Sequence, residues 1–151
     1  MSDKIAKMLA TFFYVGHTPA APGSLASIAG VVIYLFLYKL ALLYFLLFLA
    51  VTIVGFMVSE QAEKLIGQKD PSCIVIDEVA GMMLALFLLP PSWPVILTTF
   101  FLFRAFDMFK IYPVNKFEDI KGGAGIMMDD LFAGLYTNIV MHIALRWAGF
   151  V

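Results

Sequence analysis

Apolar residues fall in long blocks along this chain, and short polar breaks separate them. Residues 3–15 come first, with Ile5, Met8, Leu9 and Phe12 on one side of a helical wheel and Lys4, Lys7 and Thr11 elsewhere. That spacing predicts a short amphipathic helix lying on a membrane surface. The stretch from Gly16 to Ser24 holds two prolines and two glycines, which predicts an irregular loop. From Leu25 to Val58 the chain is apolar except for Lys39 and scattered Ser, Thr and Gly. One helix over those 34 residues would be about 51 Å long, well beyond a hydrocarbon core of about 30 Å. Lys39 therefore divides the block into two antiparallel spans, the second continuing through SEQAEKLIG to Gly67.

A turn at Lys69-Asp70-Pro71-Ser72 precedes a third span, CIVIDEVAGMMLALFLL, which carries Asp77 and Glu78 and is broken by Pro90-Pro91-Ser92. A fourth runs from Trp93 to about Phe109. A fifth starts at Asp129 or Asp130, one aspartate serving as its cap, and continues through LFAGLYTNIVMHIALRWAGF. Several of these blocks are shorter than the ~20 residues of a full crossing. The expected architecture is all-α: a polytopic integral membrane helical bundle with four to five membrane-embedded helices and a short N-terminal amphipathic helix. Residues 1–151 form a single membrane-embedded domain.

Composition strengthens the membrane reading. Apolar residues make up 62% of the chain and charged residues 14%, with a mean hydropathy of +0.94. Soluble domains run at roughly 45–50% and about 25% respectively. No basic patch interleaved with aromatics exists, so nucleic acid is excluded as a partner. The single Cys73 excludes an internal disulfide and reads as a small buried apolar residue. The first residues do not have the pattern of a cleavable signal peptide, so the spans themselves direct insertion. With the N-terminus inside and five crossings, Lys4, Lys7, Lys64, Lys69, Arg104, Lys110, Lys116 and Lys121 fall on the cytoplasmic side. Only Lys39 and Arg146, of the 10 Lys and Arg residues, fall outside.

The candidate chemistry sits on that cytoplasmic face. Asp77 and Glu78 are adjacent in an apolar context, where a divalent cation would keep both ionised; otherwise they mark the interfacial end of their span. Arg104, Asp107 and Lys110 share one helix face. They form either an intrahelical ion-pair ladder or a unit in which Asp107 binds metal and the two cations hold a phosphate. Asp129 and Asp130 exceed what one helix cap needs, which leaves a spare ligand. The Gly122-Gly123-Ala124-Gly125 turn can act as a hinge joining these carboxylates, or as a nest of backbone N–H groups for an anion. Oxygen ligands converging from separate helices suit Mg2+. Glu60 and Glu63 read as a solvated helix face.

Familiar phosphatase nucleophiles are missing. There is no Asp-x-Asp pair, Cys73 has no arginine six residues on, and of the two histidines His142 lies mid-span, satisfied by a neighbouring helix. Metal-activated water remains. The competing class is a small cation-coupled membrane transporter or channel subunit using the same carboxylates, which would spread its acids through the membrane depth.

Four blocks, TPAAPGSLAS (18–27), DPSCIVIDEVAGM (70–82), FRAFDMFKIYP (103–113) and GGAGIMMDDLFAG (122–134), resemble the phosphatidylglycerophosphatase A family of bacterial lipid phosphatases. The resemblance implies Mg2+-dependent hydrolysis of phosphatidylglycerophosphate to phosphatidylglycerol and phosphate at the bacterial cytoplasmic membrane. The positions that match the family's polar motif residues are Asp77, Glu78, Arg104, Asp107, Lys110, Asp129 and Asp130, with Gly23 and Ser24 in the first loop. On that reading the five carboxylates hold metal or act as base. Arg104, Lys110, Gly23 and Ser24 bind the phosphate, with Gly122 and Gly123 as further donors. The partners are the lipid substrate and the bilayer, and a homo-oligomer stays open.

Overall fold

A computed structural model describes residues 2–109 and 122–149. Among them are six α-helices and no strand: α1 (Asp3–Ala10), α2 (Pro22–Leu37), α3 (Ala41–Ile66), α4 (Ile76–Leu86), α5 (Trp93–Phe109) and α6 (Gly123–Trp147). The all-α expectation holds. The division at Lys39 holds too, since α2 and α3 are separate helices on either side of it, and α3 ends on Gly67 in the left-handed conformation at φ 74°.

Several boundaries differ from the sequence expectation. α1 stops at Ala10, and Phe12, Phe13 and Tyr14 follow with positive φ before a 3-10 turn at Val15–His17. The presumed loop ends early, because Pro22 opens α2 and places Gly23 and Ser24 inside its first turn. Proline suits that position: its fixed φ is already helical, and the N–H it lacks would have had no partner. α6 begins at Gly123, so Asp129 and Asp130 lie within the helix and cap nothing. Gly122, at φ 81°, serves as the cap residue that glycine tolerates best.

α4 is the central element. Its 11 residues are buried except for Glu78 and Leu84, and it packs most extensively against α6 and next against α2. Close approach explains this. A Cβ on Gly134 would collide with the backbone of Gly81, and one on Gly81 would lie 2.6 Å from the Asp130 carbonyl oxygen. Two glycines at one crossing let the α4 and α6 backbones touch, the small-residue packing used where burial of apolar area gives little drive.

α4 also ends abruptly, at Leu86, with Leu88 in the left-handed region. Its last carbonyls therefore need partners from elsewhere. The Tyr44 hydroxyl donates to the Met83 carbonyl at 2.7 Å, and Asn138 Nδ2 donates to Ala85 and Phe87 at 3.1 and 2.8 Å. His142 Nε2 lies 3.2 Å from the Phe87 carbonyl, and the Tyr34 hydroxyl donates to Leu89 at 2.5 Å. Three neighbouring helices thus supply what α4 cannot supply itself. Buried Ser27, Thr99 and Thr137 satisfy their hydroxyls on carbonyls one turn back in their own helices.

The other long helices each carry an exposed apolar stripe. On α3 it runs through Leu42, Leu46, Leu49, Ile53 and Met57, and on α2 through Ile28, Val32 and Phe36. On α5 it includes Trp93, Leu97 and Phe101, and on α6 Leu135, Ile139, Ile143 and Trp147. Among the described residues α3 alone is long and apolar enough to cross a bilayer by itself, with a mean hydropathy of 2.6. The 16 and 17 residues of α2 and α5 fall short of the ~20 of a full crossing.

The Gly81–Gly134 contact generates a stability prediction. Gly134→Ala should lower Tm in detergent by several degrees, an overpacking cost of about 1–3 kcal/mol, while Leu46→Ala on the exposed face of α3 should shift it far less. Thermal unfolding of the purified variants checks this, and an unchanged Tm for Gly134→Ala would contradict the close crossing.

Candidate active site

Four helices bring their functional residues to one side of the bundle. α2 contributes Gly23 and Ser24, and α4 contributes Asp77 and Glu78 from its first turn. α5 contributes Arg104 and Asp107 near its C-terminus, and α6 contributes Asp129 and Asp130. All eight line one cavity of about 370 Å³, together with Asp70 and Ser72 from the connection between α3 and α4. That volume suits a phosphorylated headgroup and its waters.

The floor of the cavity is acidic. One carboxylate oxygen from each of Asp77, Glu78 and Asp130 lies within 4.8 Å of the other two. Asp77 and Asp130 are only 7% and 3% exposed. Asp107 stands close enough to add its own negative charge to that of Asp130 and Glu78. Two carboxyl groups sit so close only with a proton or a cation between them. Asp77 Oδ1, Glu78 Oε2 and Asp130 Oδ1 are nevertheless buried with no hydrogen-bond partner. Orphaned acceptors of this kind cost about 1–3 kcal/mol each, more when charged. An all-oxygen set from two helices, beside a cavity with room for water, fits a hard divalent cation such as Mg2+.

Positive charge comes from three sources. Arg104 Nη1 pairs with Asp107 Oδ2 at 2.7 Å, both side chains about four-fifths buried, so the ion pair expected as one alternative is present. Beyond this ion pair the buried Nη1 has no hydrogen-bond partner. The N-terminal ends of α2 and α4 add their partial positive charge. In α2 the Leu25 N–H already bonds the Ala21 carbonyl, whereas the N–H groups of Gly23 and Ser24 precede the helical ladder. Gly23 is needed there: a Cβ would collide with the Glu78 carboxylate and stand 3.3 Å from Arg104 Nη1.

The structure gathers most of the predicted site but not all of it. Gly122 and Gly123 do not line the cavity; a Cβ on Gly123 would meet the Phe56 carbonyl and the Glu60 backbone of α3. Lys110 lies outside the described residues. Glu60 is exposed and pairs with Lys64 at 2.6 Å, as a solvated face should. Cys73 is half-buried rather than buried. Asp70 and Ser72 were not singled out as functional. The sequence signals at these two positions are the turn just ahead of Asp77 and Glu78 and the head of the 70–82 block.

The sequence matches the family described as Phosphatidylglycerophosphatase A over residues 8–145. It is 39% identical over 150 residues to a Bacteroides thetaiotaomicron protein named as a candidate phosphatidylinositol-3-phosphatase, covering 93% of this chain and 92% of that one. Proteins named Phosphatidylglycerophosphatase A from Haemophilus influenzae and Escherichia coli are 35% and 34% identical over 144 residues. Those two alignments cover 93% of this chain and 88% and 84% of the relatives. No solved structure matches the chain significantly.

The Gly23 contact yields a test of the cation site. Wild-type protein should gain thermal stability on addition of Mg2+, by a mass-action shift of about 3 kcal/mol at a hundredfold excess over Kd. Gly23→Ala displaces the Glu78 carboxylate and should reduce that gain by half or more. A full wild-type response in Gly23→Ala would remove Glu78 from the ligand set.

Proposed function

The chain belongs to the phosphatidylglycerophosphatase A family and is a phosphoric monoester hydrolase, and we propose that the acidic cavity is its active site. On this reading it removes the terminal phosphate of phosphatidylglycerophosphate, in a Mg2+-dependent hydrolysis at the cytoplasmic membrane face. The observation that carries the proposal is the convergence of Asp77, Glu78 and Asp130 with the Arg104–Asp107 pair in one cavity.

Asp77, Glu78 and Asp130 are the metal ligands in this proposal. Mg2+ bound there supplies Lewis acidity toward a phosphoryl oxygen and toward water. Arg104 and the N–H groups of Gly23 and Ser24 hold the remaining phosphoryl oxygens, and Lys110 is the further cation of that set. One of Asp107 and Asp129, both partly buried at the same cavity, accepts the proton of the attacking water. Water adds to phosphorus as the phosphorus–oxygen bond to the glycerol breaks, and the carboxyl group that took the proton from water returns it to the departing oxygen. The arrangement disfavours an ion path, because the other buried polar side chains among the described residues are hydroxyls of Thr11, Ser27, Ser59, Thr99 and Thr137.

The apolar stripes support a bundle embedded in the bilayer through α2, α3, α5 and α6 around the short central α4, with α1 on the surface. On this reading the chain passes between the two sides five times, with α4 and the segment after it making the third passage. Orientation follows the cations: Lys4, Lys7, Lys64, Lys69 and Arg104 lie at the cavity end of the chain's path, Lys39 and Arg146 at the other. The acyl chains stay in lipid while the headgroup enters the cavity.

The Bacteroides relative favours a second substrate, phosphatidylinositol 3-phosphate. Both headgroups carry the phosphate on a carbon whose neighbour bears a free hydroxyl. Phosphate release from each lipid, with and without Mg2+, separates the readings. The expected result is Mg2+-dependent release from phosphatidylglycerophosphate, lowered about 100-fold or more in kcat by Asp107→Asn or Asp130→Asn at wild-type expression. Metal-independent release, or full activity in both variants, would contradict the assignment.

A further inference from the structure

Asp70 and Ser72 line the same cavity as the catalytic carboxylates, yet nothing in the hydrolytic chemistry requires them. They are exposed, whereas Asp77 and Asp130 are buried, so the cavity runs from an open rim at 70–72 to a closed floor. The rim is firmly held. The Asp70 N–H donates to Glu63 Oε1 at 3.2 Å, the Ile74 N–H to the Pro71 carbonyl at 2.8 Å and the Val75 N–H to the Ala10 carbonyl at 3.0 Å. Gly16 packs so tightly on the Cys73 carbonyl that a Cβ would collide with it. Asp70 itself sits at φ 47°, in the left-handed region that aspartate tolerates better than most L-residues.

An exposed carboxylate at the mouth of an anion-binding cavity opposes entry of a phosphate unless it gains something specific. A phosphoryl group on the floor directs the rest of the headgroup toward the rim. The first polar group met there is the hydroxyl on the carbon next to the phosphate-bearing one. We infer that Asp70 and Ser72 form a specificity subsite that recognises this neighbouring hydroxyl, selecting β-hydroxy phosphomonoesters. Asp70 accepts the hydroxyl proton, and the Ser72 hydroxyl donates to the same oxygen. The inference rests on the phosphomonoesterase reading above and adds the substrate feature that reading leaves open.

The test pairs variants with substrates. Wild-type protein and the Asp70→Gly, Asp70→Asn and Ser72→Ala variants are assayed on phosphatidylglycerophosphate and on its synthetic analogue lacking only that hydroxyl. Glycine adopts φ 47° without strain, so Asp70→Gly removes the acceptor and leaves the turn intact. Wild type should favour the hydroxylated lipid by about 10-fold or more in kcat/KM, chiefly through KM, because a site that hydrogen-bonds a hydroxyl rejects the analogue lacking it. In Asp70→Gly the ratio should fall to near one, and Asp70→Asn, still an acceptor, should retain part of it. Ser72→Ala should reduce it as well. Equal use of both lipids by wild type, or an unchanged ratio in Asp70→Gly and Ser72→Ala, overturns the subsite. Failure of wild type to release phosphate from either lipid overturns the hydrolase assignment of the cavity, and the subsite with it.

Discussion

Mutual repulsion among Asp77, Glu78 and Asp130 is the constraint around which this structure is organised. Oxygens from the three lie within 4.8 Å of one another, on two helices, largely out of water. Carboxylates do not gather in such a place by default, because desolvation and like charge both oppose it. The fold meets this cost with the N-terminal ends of α2 and α4 and with Arg104, whose guanidinium is tied to Asp107. The unpartnered oxygens that remain have the chemistry to hold a divalent cation.

The geometry depends on α4 being short, central and fixed at both ends. Its N-terminal turn presents the acids, and Gly81 lets Asp130 of α6 come close. Its C-terminal carbonyls are satisfied by Tyr44, Asn138 and His142, with Tyr34 bonding just beyond at Leu89. In lipid an unsatisfied carbonyl has no water to turn to, so these side chains permit a helix to stop inside the bundle. A helix that stops there leaves space above it for the connecting segment and delivers its other end to the cavity.

Much of this was legible along the chain, for physical reasons particular to each residue. The acids stood out because charge is rare in apolar blocks, and Arg104 and Asp107 because three residues apart is one helix face. The turn between α2 and α3 was legible from Lys39 and excess length alone. Other features were hidden. Asp129 and Asp130 looked like a helix start, yet Gly122 and Gly123 begin α6 nearly two turns earlier, since glycine there gives close passage by α3. Pro22, in a stretch with a second proline and two glycines, reads as loop along the sequence, although proline also favours the first turn of a helix, where it stands. The packing roles of Gly81 and Gly134, and the polar caps on α4, depend on partners 39 or more residues away, which no local pattern reveals.

The most direct measurement is anomalous diffraction from crystals of the lipid-solubilised protein equilibrated with Mn2+, a substitute for Mg2+ with the same preference for oxygen ligands. The account predicts an anomalous peak bridging the carboxylates of Asp77, Glu78 and Asp130 at ligand distance. A fully occupied Mn2+ elsewhere, with those three carboxylates bare, would contradict it.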